Sequence, residues 1–461
     1  MTIRSKVKKK FTGDGWRISA DCPYCFCLFL IIGNILFNIL VTSSSAAYRI
    51  SLLIAINFLL VSISKFNFLQ PVIQSFIIGL IVTIGAKFYI NESSWFICPV
   101  LWAFNYISYY RFGSWGRQFR NSFTPCEMLI VTQGALICLT QSTLCELGSF
   151  VPALSLSCSN DLTTRVLQLL FFGLTITVIL MSYSARNDNL AMVYTSLVTG
   201  LLVMYSRLAV IINKEPLTWL FLDVFFTHSR IHLFELWACL FIFTIFFCVI
   251  VEAFADNAAN TVIRKFFHLI VIPVYASGLK YDPPMLYFLS CCLLWILIVL
   301  ETLRITDPEN GGKAIVFFME RFKNDNDRGF ITLTHIYLLI GLSLSLWISP
   351  NIDKISFNFA SGMITVAVGD TAAAIIGSRF GKHKWLNSNK SIEGTLGSIL
   401  CQIIASILIK FYLKVSTNIL VITILSIISS IIEAKTIQID NLILPLYFNL
   451  LWLIAAVFKL I

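Results

Sequence analysis

Apolar runs of about twenty residues recur from one end of this 461-residue chain to the other. A run of that length, wound as a helix, crosses the ~30 Å hydrocarbon core of a bilayer. Such runs lie near 26–42, 49–65, 71–89, 94–110, 127–145, 163–183, 190–212 and 231–253. They resume near 262–280, 284–303, 330–349, 357–378, 394–414, 417–433 and 442–461, with a shorter one around 216–227. Inside a bilayer each span must satisfy its own peptide groups, which a helix does, and the alternating pattern of a barrel is missing. The expected fold class is therefore all-α, a polytopic integral membrane protein with about 15 transmembrane helices.

Composition agrees. Hydrophobic side chains make up 57% and charged ones 13%, against about 25% charged in soluble domains. That little polar surface cannot cover a water-soluble enzyme of this size, and disordered, collagenous and coiled-coil chains are excluded as well. The net charge of +10 would suggest nucleic acid on a soluble domain. Here the positive-inside bias of cytoplasmic loops accounts for most of it, and no nucleic-acid partner is expected. The 13 cysteines fall mainly in or beside apolar runs, where Cys acts as a small hydrophobe. Cys22-Pro23-Tyr24-Cys25 has redox-like spacing but stands before a span rather than in a βαβ unit. The basic N-terminus reads as an uncleaved anchor, because no small-residue cleavage site follows the first run.

Polarity divides the chain in two. Residues 1–250 form an N-terminal multi-span membrane region with short connectors. In residues 251–461, charged and small residues enter the spans, and polar loops stand at Arg304–Gly329 and Arg379–Ser391. Any chemistry is expected in this second half.

The most informative stretch runs from Gly362 to Thr395. Asp370 sits in an apolar run between Gly369 and Thr371, and a carboxylate at membrane depth is by default a functional-site candidate. Gly377, Ser378 and Gly381 punctuate the exit from that run. Arg379, Lys382, Lys384 and Lys390 then supply four cations, around Trp385, with no acidic residue among them. Glu393-Gly394-Thr395 opens the next span. A glycine-rich turn, a cation cluster and a helix N-terminus together favour phosphate. Asp370 and Glu393 are candidate ligands of a divalent metal, as nucleotide phosphates usually require. Asp370 is alternatively the base that takes a proton from a hydroxyl nucleophile. The arrangement suggests a nucleotide and a metal beside a lipid substrate. It is not a Walker A loop, since the glycine spacing is wrong and no Ser or Thr follows Lys382.

Other clusters accompany it. Arg264, Lys265 and His268 open an apolar span, with Arg264 and His268 on one helix face. Asp327-Arg328-Gly329 precedes Thr334-His335-Ile336-Tyr337, and Glu433 and Asp440-Asn441 flank the last loop. His228 and His232 are four apart and form a weaker metal candidate.

In this order the motifs resemble the polyprenol kinase family, most closely its dolichol branch, over residues 250–461. The resemblance implies transfer of the terminal phosphate of CTP to a long-chain isoprenoid alcohol, dolichol, with a divalent cation, Mg2+. It implies an endoplasmic reticulum membrane enzyme whose nucleotide loop, around Gly377–Lys390, faces the cytosol. Asp370, Arg264, Lys265 and His268 would be catalytic. CTP would be held by Gly369, Thr371, Gly377, Ser378, Arg379, Gly381, Lys382, Lys384, Trp385, Lys390, Glu393, Gly394 and Thr395. After Trp385, however, the chain reads Leu-Asn-Ser-Asn-Lys where the family has a Pro-Gly-Thr-Lys-Lys-like run, and residue 324 is Asn rather than acidic. A related glycine–aspartate pattern marks CTP:phosphatidate cytidylyltransferases, but their terminal Lys-Asp and Asp-Arg signature is missing. Kinases of other lipid alcohols, the cytidylyltransferases and a membrane transporter with Asp370 on an ion path remain the alternatives.

Overall fold

The computed structural model describes residues 24–41, 190–254, 259–306, 331–349 and 355–461, less 387, 437 and 438. It also describes 122–124, 126–135 and isolated positions between 49 and 181 and at 316. Asp327-Arg328-Gly329, Asn324, Cys22 and most of the expected spans between 49 and 183 lie outside the described residues. Among the described residues no strand forms; Lys384 and Ser391 make an isolated antiparallel bridge.

The helices are α1 (Tyr24–Val41), α2 (Leu190–Ile212), α3 (His228–Phe254), α4 (Ala259–Tyr281) and α5 (Pro283–Thr306). They continue with α6 (Thr334–Trp347), α7 (Thr371–Phe380), α8 (Ile392–Leu413), α9 (Ile419–Lys435) and α10 (Asp440–Val457). Six segments are long and apolar enough to cross a membrane: Ala191–Ile212, Arg230–Val251, Pro283–Ile305, Phe357–Phe380, Ile392–Leu413 and Asp440–Val457. The expected figure of about fifteen is thus represented by six among the described residues.

Burial sorts these spans. Within an 18-residue apolar window, 67% of residues are buried in Phe357–Phe380 and in Asp440–Val457, against 6% in each of the first two spans. The first two therefore present side chains such as Leu202, Phe241 and Phe246 outward, as a lipid-facing helix must. The last helix, α10, is the axis of the bundle and packs on α1, α6 and α9. One apolar cluster joins α1, residues 123–130, α6 and α10, and a second joins α4, Phe357–Ile364, α8 and α9 to α10.

Close approach depends on small residues, as is usual between membrane helices. A Cβ on Gly341 of α6 would lie 1.8 Å from the carbonyl oxygen of Asn441 in α10. Polar contacts fix register. Asn34 of α1 accepts from Asn449 Nδ2 of α10 at 2.7 Å, and Asn449 accepts from Asn358 Nδ2 at 2.7 Å.

Before α7 the chain does not run as a plain α-helix. A 3₁₀ turn at Phe357–Ala360 leads into a π-helix at Met363–Asp370. π segments inside helices are rare and concentrate at functional sites, and this one ends on Asp370.

Candidate functional site

The π-helix delivers Asp370 into the interior, where Lys265 of α4 meets it. Lys265 Nζ lies 2.5 Å from Asp370 Oδ2, with side chains 14% and 13% exposed. His268, three residues on, is buried on the same helix. The α4 backbone also carries Arg264, whose side chain is outside the described residues.

Two further carboxylates join from the C-terminal end. Glu433 closes α9 and Asp440 opens α10, and oxygen atoms of Asp370, Glu433 and Asp440 all lie within 4.8 Å of one another. Among the described residues this is the one group of three or more potential metal ligands. Lys390 Nζ ion-pairs with Glu433 Oε1, donates to the Glu433 carbonyl at 2.7 Å, and lies 3.9 Å from Asp440 Oδ2. Burial works to lower the Lys390 ammonium, but the carboxylates of Asp440 and Glu433 outweigh it and hold its pKa above the ordinary lysine value. Three carboxylates thus face two ammonium groups, a set of hard oxygen donors suited to a divalent cation such as Mg2+. Glu433 is the deepest at 4% side-chain exposure and Asp440 the outermost at 31%, so the cluster opens toward the surface.

The structure does not bring Glu393 to Asp370. Its carboxylate accepts from the His383 backbone N–H at 3.2 Å and pairs with His383 Nδ1 at 2.7 Å, which ties the loop to the start of α8. The rest of the loop is pinned in the same way. Trp385 Nε1 donates to Thr395 Oγ1 at 2.9 Å, Lys435 Nζ stands 5.6 Å above the Trp385 ring, and Ser388 Oγ donates to the Ala434 carbonyl at 3.2 Å. Ser391 caps α8 by accepting from Gly394 N–H at 3.1 Å. Gly377 and Gly394 let α7 and α8 meet. A Cβ on Gly394 would lie 2.8 Å from the Ala373 carbonyl oxygen, and one on Gly377 2.8 Å from Ser391 Oγ. Gly369 and Thr371 are buried beside Asp370, and the Ser378 hydroxyl bonds back to the Ile375 carbonyl. Arg379, Gly381, Lys382 and Lys384 are exposed along the loop. The site therefore has two parts, a buried acidic junction and a braced basic loop, linked by Lys390.

Sequence reading placed Glu433 and Asp440 beside the last loop without joining them to Asp370. A signal for them existed: past Glu393 they are the chain's two remaining acidic side chains. The other candidates stand apart. The His228 and His232 rings are exposed, 5.6 Å apart, with Glu235 paired to His232. Tyr337 is buried and donates to Glu127 at 3.4 Å.

A protein-family model described as dolichol kinase matches residues 97–411. The chain belongs to the dolichol kinase family. Similar relatives are dolichol kinases of Mus musculus, 36% identical over 55% of this chain and 51% of that protein, and of Homo sapiens, 37% over 52% and 48%. A dolichol kinase of Bos taurus is 33% identical over 71% of this chain and 64% of that protein. The chain spans about half the length of the mouse and human proteins it matches. No solved structure matches. The family match begins at residue 97, well before the motifs that suggested it, and takes in Lys265, Asp370 and Lys390. Glu433 and Asp440 lie beyond its end, so their place in the site rests on the fold.

Proposed function

We propose that this chain is a CTP-dependent kinase that transfers the terminal phosphate of CTP to the hydroxyl of dolichol, giving dolichyl phosphate for protein glycosylation. The observation that carries the reading is the buried junction of Lys265, Asp370, Glu433 and Asp440 bridged by Lys390 to a basic loop. A lipid alcohol of this class stays in the bilayer, since each buried CH₂ is worth about 0.8 kcal/mol. The enzyme must therefore bring a soluble nucleotide to the membrane surface. Residues 251–461 form the kinase region in this reading. The full chain has about 15 spans, resides in the endoplasmic reticulum membrane and turns its basic loop to the cytosol.

Phosphoryl transfer needs positioning and charge compensation more than covalent help from the protein. Arg379, Lys382, Lys384 and Lys390 neutralise the triphosphate. Lys265, with Arg264 and His268 on the same helix, stabilises the phosphoryl group in transit. Asp370, Glu433 and Asp440 would hold the divalent cation, which would supply charge neutralisation at the phosphates. The alcohol oxygen bonds to the terminal phosphorus as the bond to the leaving CDP breaks, and the hydroxyl proton passes to a carboxylate of the trio. Glu393 in this arrangement braces the loop through His383.

The test supplies membranes holding the chain with CTP or ATP labelled on the terminal phosphate, and with dolichol, phytol, diacylglycerol or phosphatidate. Labelled dolichyl phosphate from CTP, lost in Asp370→Asn, is the expected result. Release of pyrophosphate with a CDP-lipid, or no labelled lipid from any pair, would overturn the reading.

A further inference from the structure

Gln402 lies in the middle of α8, 1% exposed, at the depth of a membrane span. Its Nε2 donates to Ser398 Oγ and Ser430 Oγ, both at 3.0 Å, so both amide hydrogens are used. Its Oε1 has no hydrogen-bond partner. The amide rests against the chain just before Asp370: a Cβ on Gly369 would lie 2.3 Å from Gln402 Nε2. Around it the facing sides of α8 and α9 are polar and buried. The hydroxyls of Ser406, one turn along α8, and of Ser429, one turn before Glu433, have no partners either.

A polar seam therefore runs from the acidic junction back into the span, with an unmatched acceptor on the amide that rests against Gly369, the residue before Asp370. Water at membrane depth is scarce, and a bare buried carbonyl oxygen there is costly. Native proteins leave few such groups without a use. What satisfies Oε1 is an O–H or N–H donor arriving from within the bundle. The charged nucleotide meets exposed cations at the surface, so it is an unsuitable visitor to an uncharged seam. An alcohol at the end of an apolar chain is suitable.

Building on the kinase reading above, we propose that Gln402 binds the acceptor alcohol as it enters, its Oε1 accepting a hydrogen bond from the hydroxyl, which then turns its proton toward a carboxylate of the trio for transfer. A water molecule offers the same donor chemistry, and the experiment separates the two.

The experiment uses the full chain in nanodiscs as wild type, Gln402→Leu and Gln402→Glu, the last retaining an acceptor oxygen. KM is measured separately for the long-chain alcohol and for CTP. Losing one hydrogen bond of roughly 1.4 kcal/mol corresponds to about tenfold in affinity. Gln402→Leu should therefore raise the alcohol KM about tenfold with the CTP KM within about twofold, and Gln402→Glu should recover most of the difference. The methyl ether of the alcohol, which has no donor, should inhibit the wild type weakly but rival the alcohol in Gln402→Leu. An unchanged alcohol KM with a slower kcat would assign Oε1 to water and overturn the proposal, as would equal rises in both KM values. Alcohol binding is also read without nucleotide, as thermal stabilisation by alcohol over ether. That measurement remains decisive for Gln402 if no phosphate is transferred, and absence of transfer alone counts against the kinase reading. Should Gln402→Leu not fold, Gln402→Met is put through the same comparison, with the same outcomes for and against.

Discussion

Lys265 Nζ and Asp370 Oδ2 are 2.5 Å apart inside the bundle, although 105 positions separate them in the chain. The contact joins α4 to the π-helix before α7 and places an ammonium beside a carboxylate set in an apolar run. Neither charge could stay buried without the other.

Removing one partner should cost more than removing both. Lys265→Met leaves Asp370 with its nearest counter-charge gone and should destabilise the protein by about 3–5 kcal/mol. The double variant Lys265→Met with Asp370→Asn should recover much of that while staying inactive. Denaturant unfolding in detergent checks it, and additive losses in the double variant would show that the pair does not couple.

The acidic trio should bind a divalent cation in the absence of substrate. Mn2+ titration followed by electron paramagnetic resonance should show one site, weakened at least about tenfold by Asp440→Asn or Glu433→Gln, a loss of about 1.4 kcal/mol or more. Glu393→Gln should leave Mn2+ affinity within about twofold, because Glu393 is spent on His383. The reverse ranking would return the metal to the Asp370–Glu393 pair expected from sequence.

Lys390 gives the site a pH signature. Its folded pKa is raised, so the stability it contributes is complete below the ordinary lysine value and lost as pH rises through the raised one. In the presence of chelator, the gap in thermal midpoint between wild type and Lys390→Gln should stay level from pH 7 to about pH 10 and narrow above it. A gap that closes between pH 7 and pH 9 would contradict the carboxylate pairing.

Helix spacing sets the position of Asp440. Gly341→Ala puts a methyl group 1.8 Å from the Asn441 carbonyl oxygen, which forces α6 from α10 and should cost about 3 kcal/mol or more, at the top of the overpacking range. Gly134→Ala meets Leu344 at 3.9 Å, an ordinary contact, and should fall within about 0.5 kcal/mol of wild type. Size-exclusion profiles and thermal midpoints in detergent separate the two.

The asparagine contacts bind α1 to α10. Asn449→Leu leaves the Asn34 Oδ1 and the Asn358 Nδ2 without the partners they now have, at about 1–3 kcal/mol each. Hydrogen exchange in Tyr24–Val41 should rise sharply in this variant. Unchanged protection of α1 would mean that apolar contact alone holds it.

The chain by itself determined its solvent and its class of secondary structure. Twenty-residue apolar runs admit only helices in a bilayer, so α4, α5, α8 and α10 could be read from length alone, as could the oddity of Asp370 in such a run. The basic loop was legible because its cations and glycines are neighbours in sequence. What the sequence could not determine is which distant side chains share a point in space. Glu393 is nearer to Asp370 in sequence than Glu433 or Asp440, yet it faces His383, while the other two arrive on separate helices. Helix packing decides this through close approaches such as Gly341 on Asn441 and through a π-helix that changes which face Asp370 presents. Neither leaves a periodic trace, because both are relations between surfaces rather than properties of a run. The unmatched oxygen of Gln402 belongs to the same class. A glutamine in an apolar span is visible in the sequence, but only the packed bundle shows which of its atoms has been left without a partner.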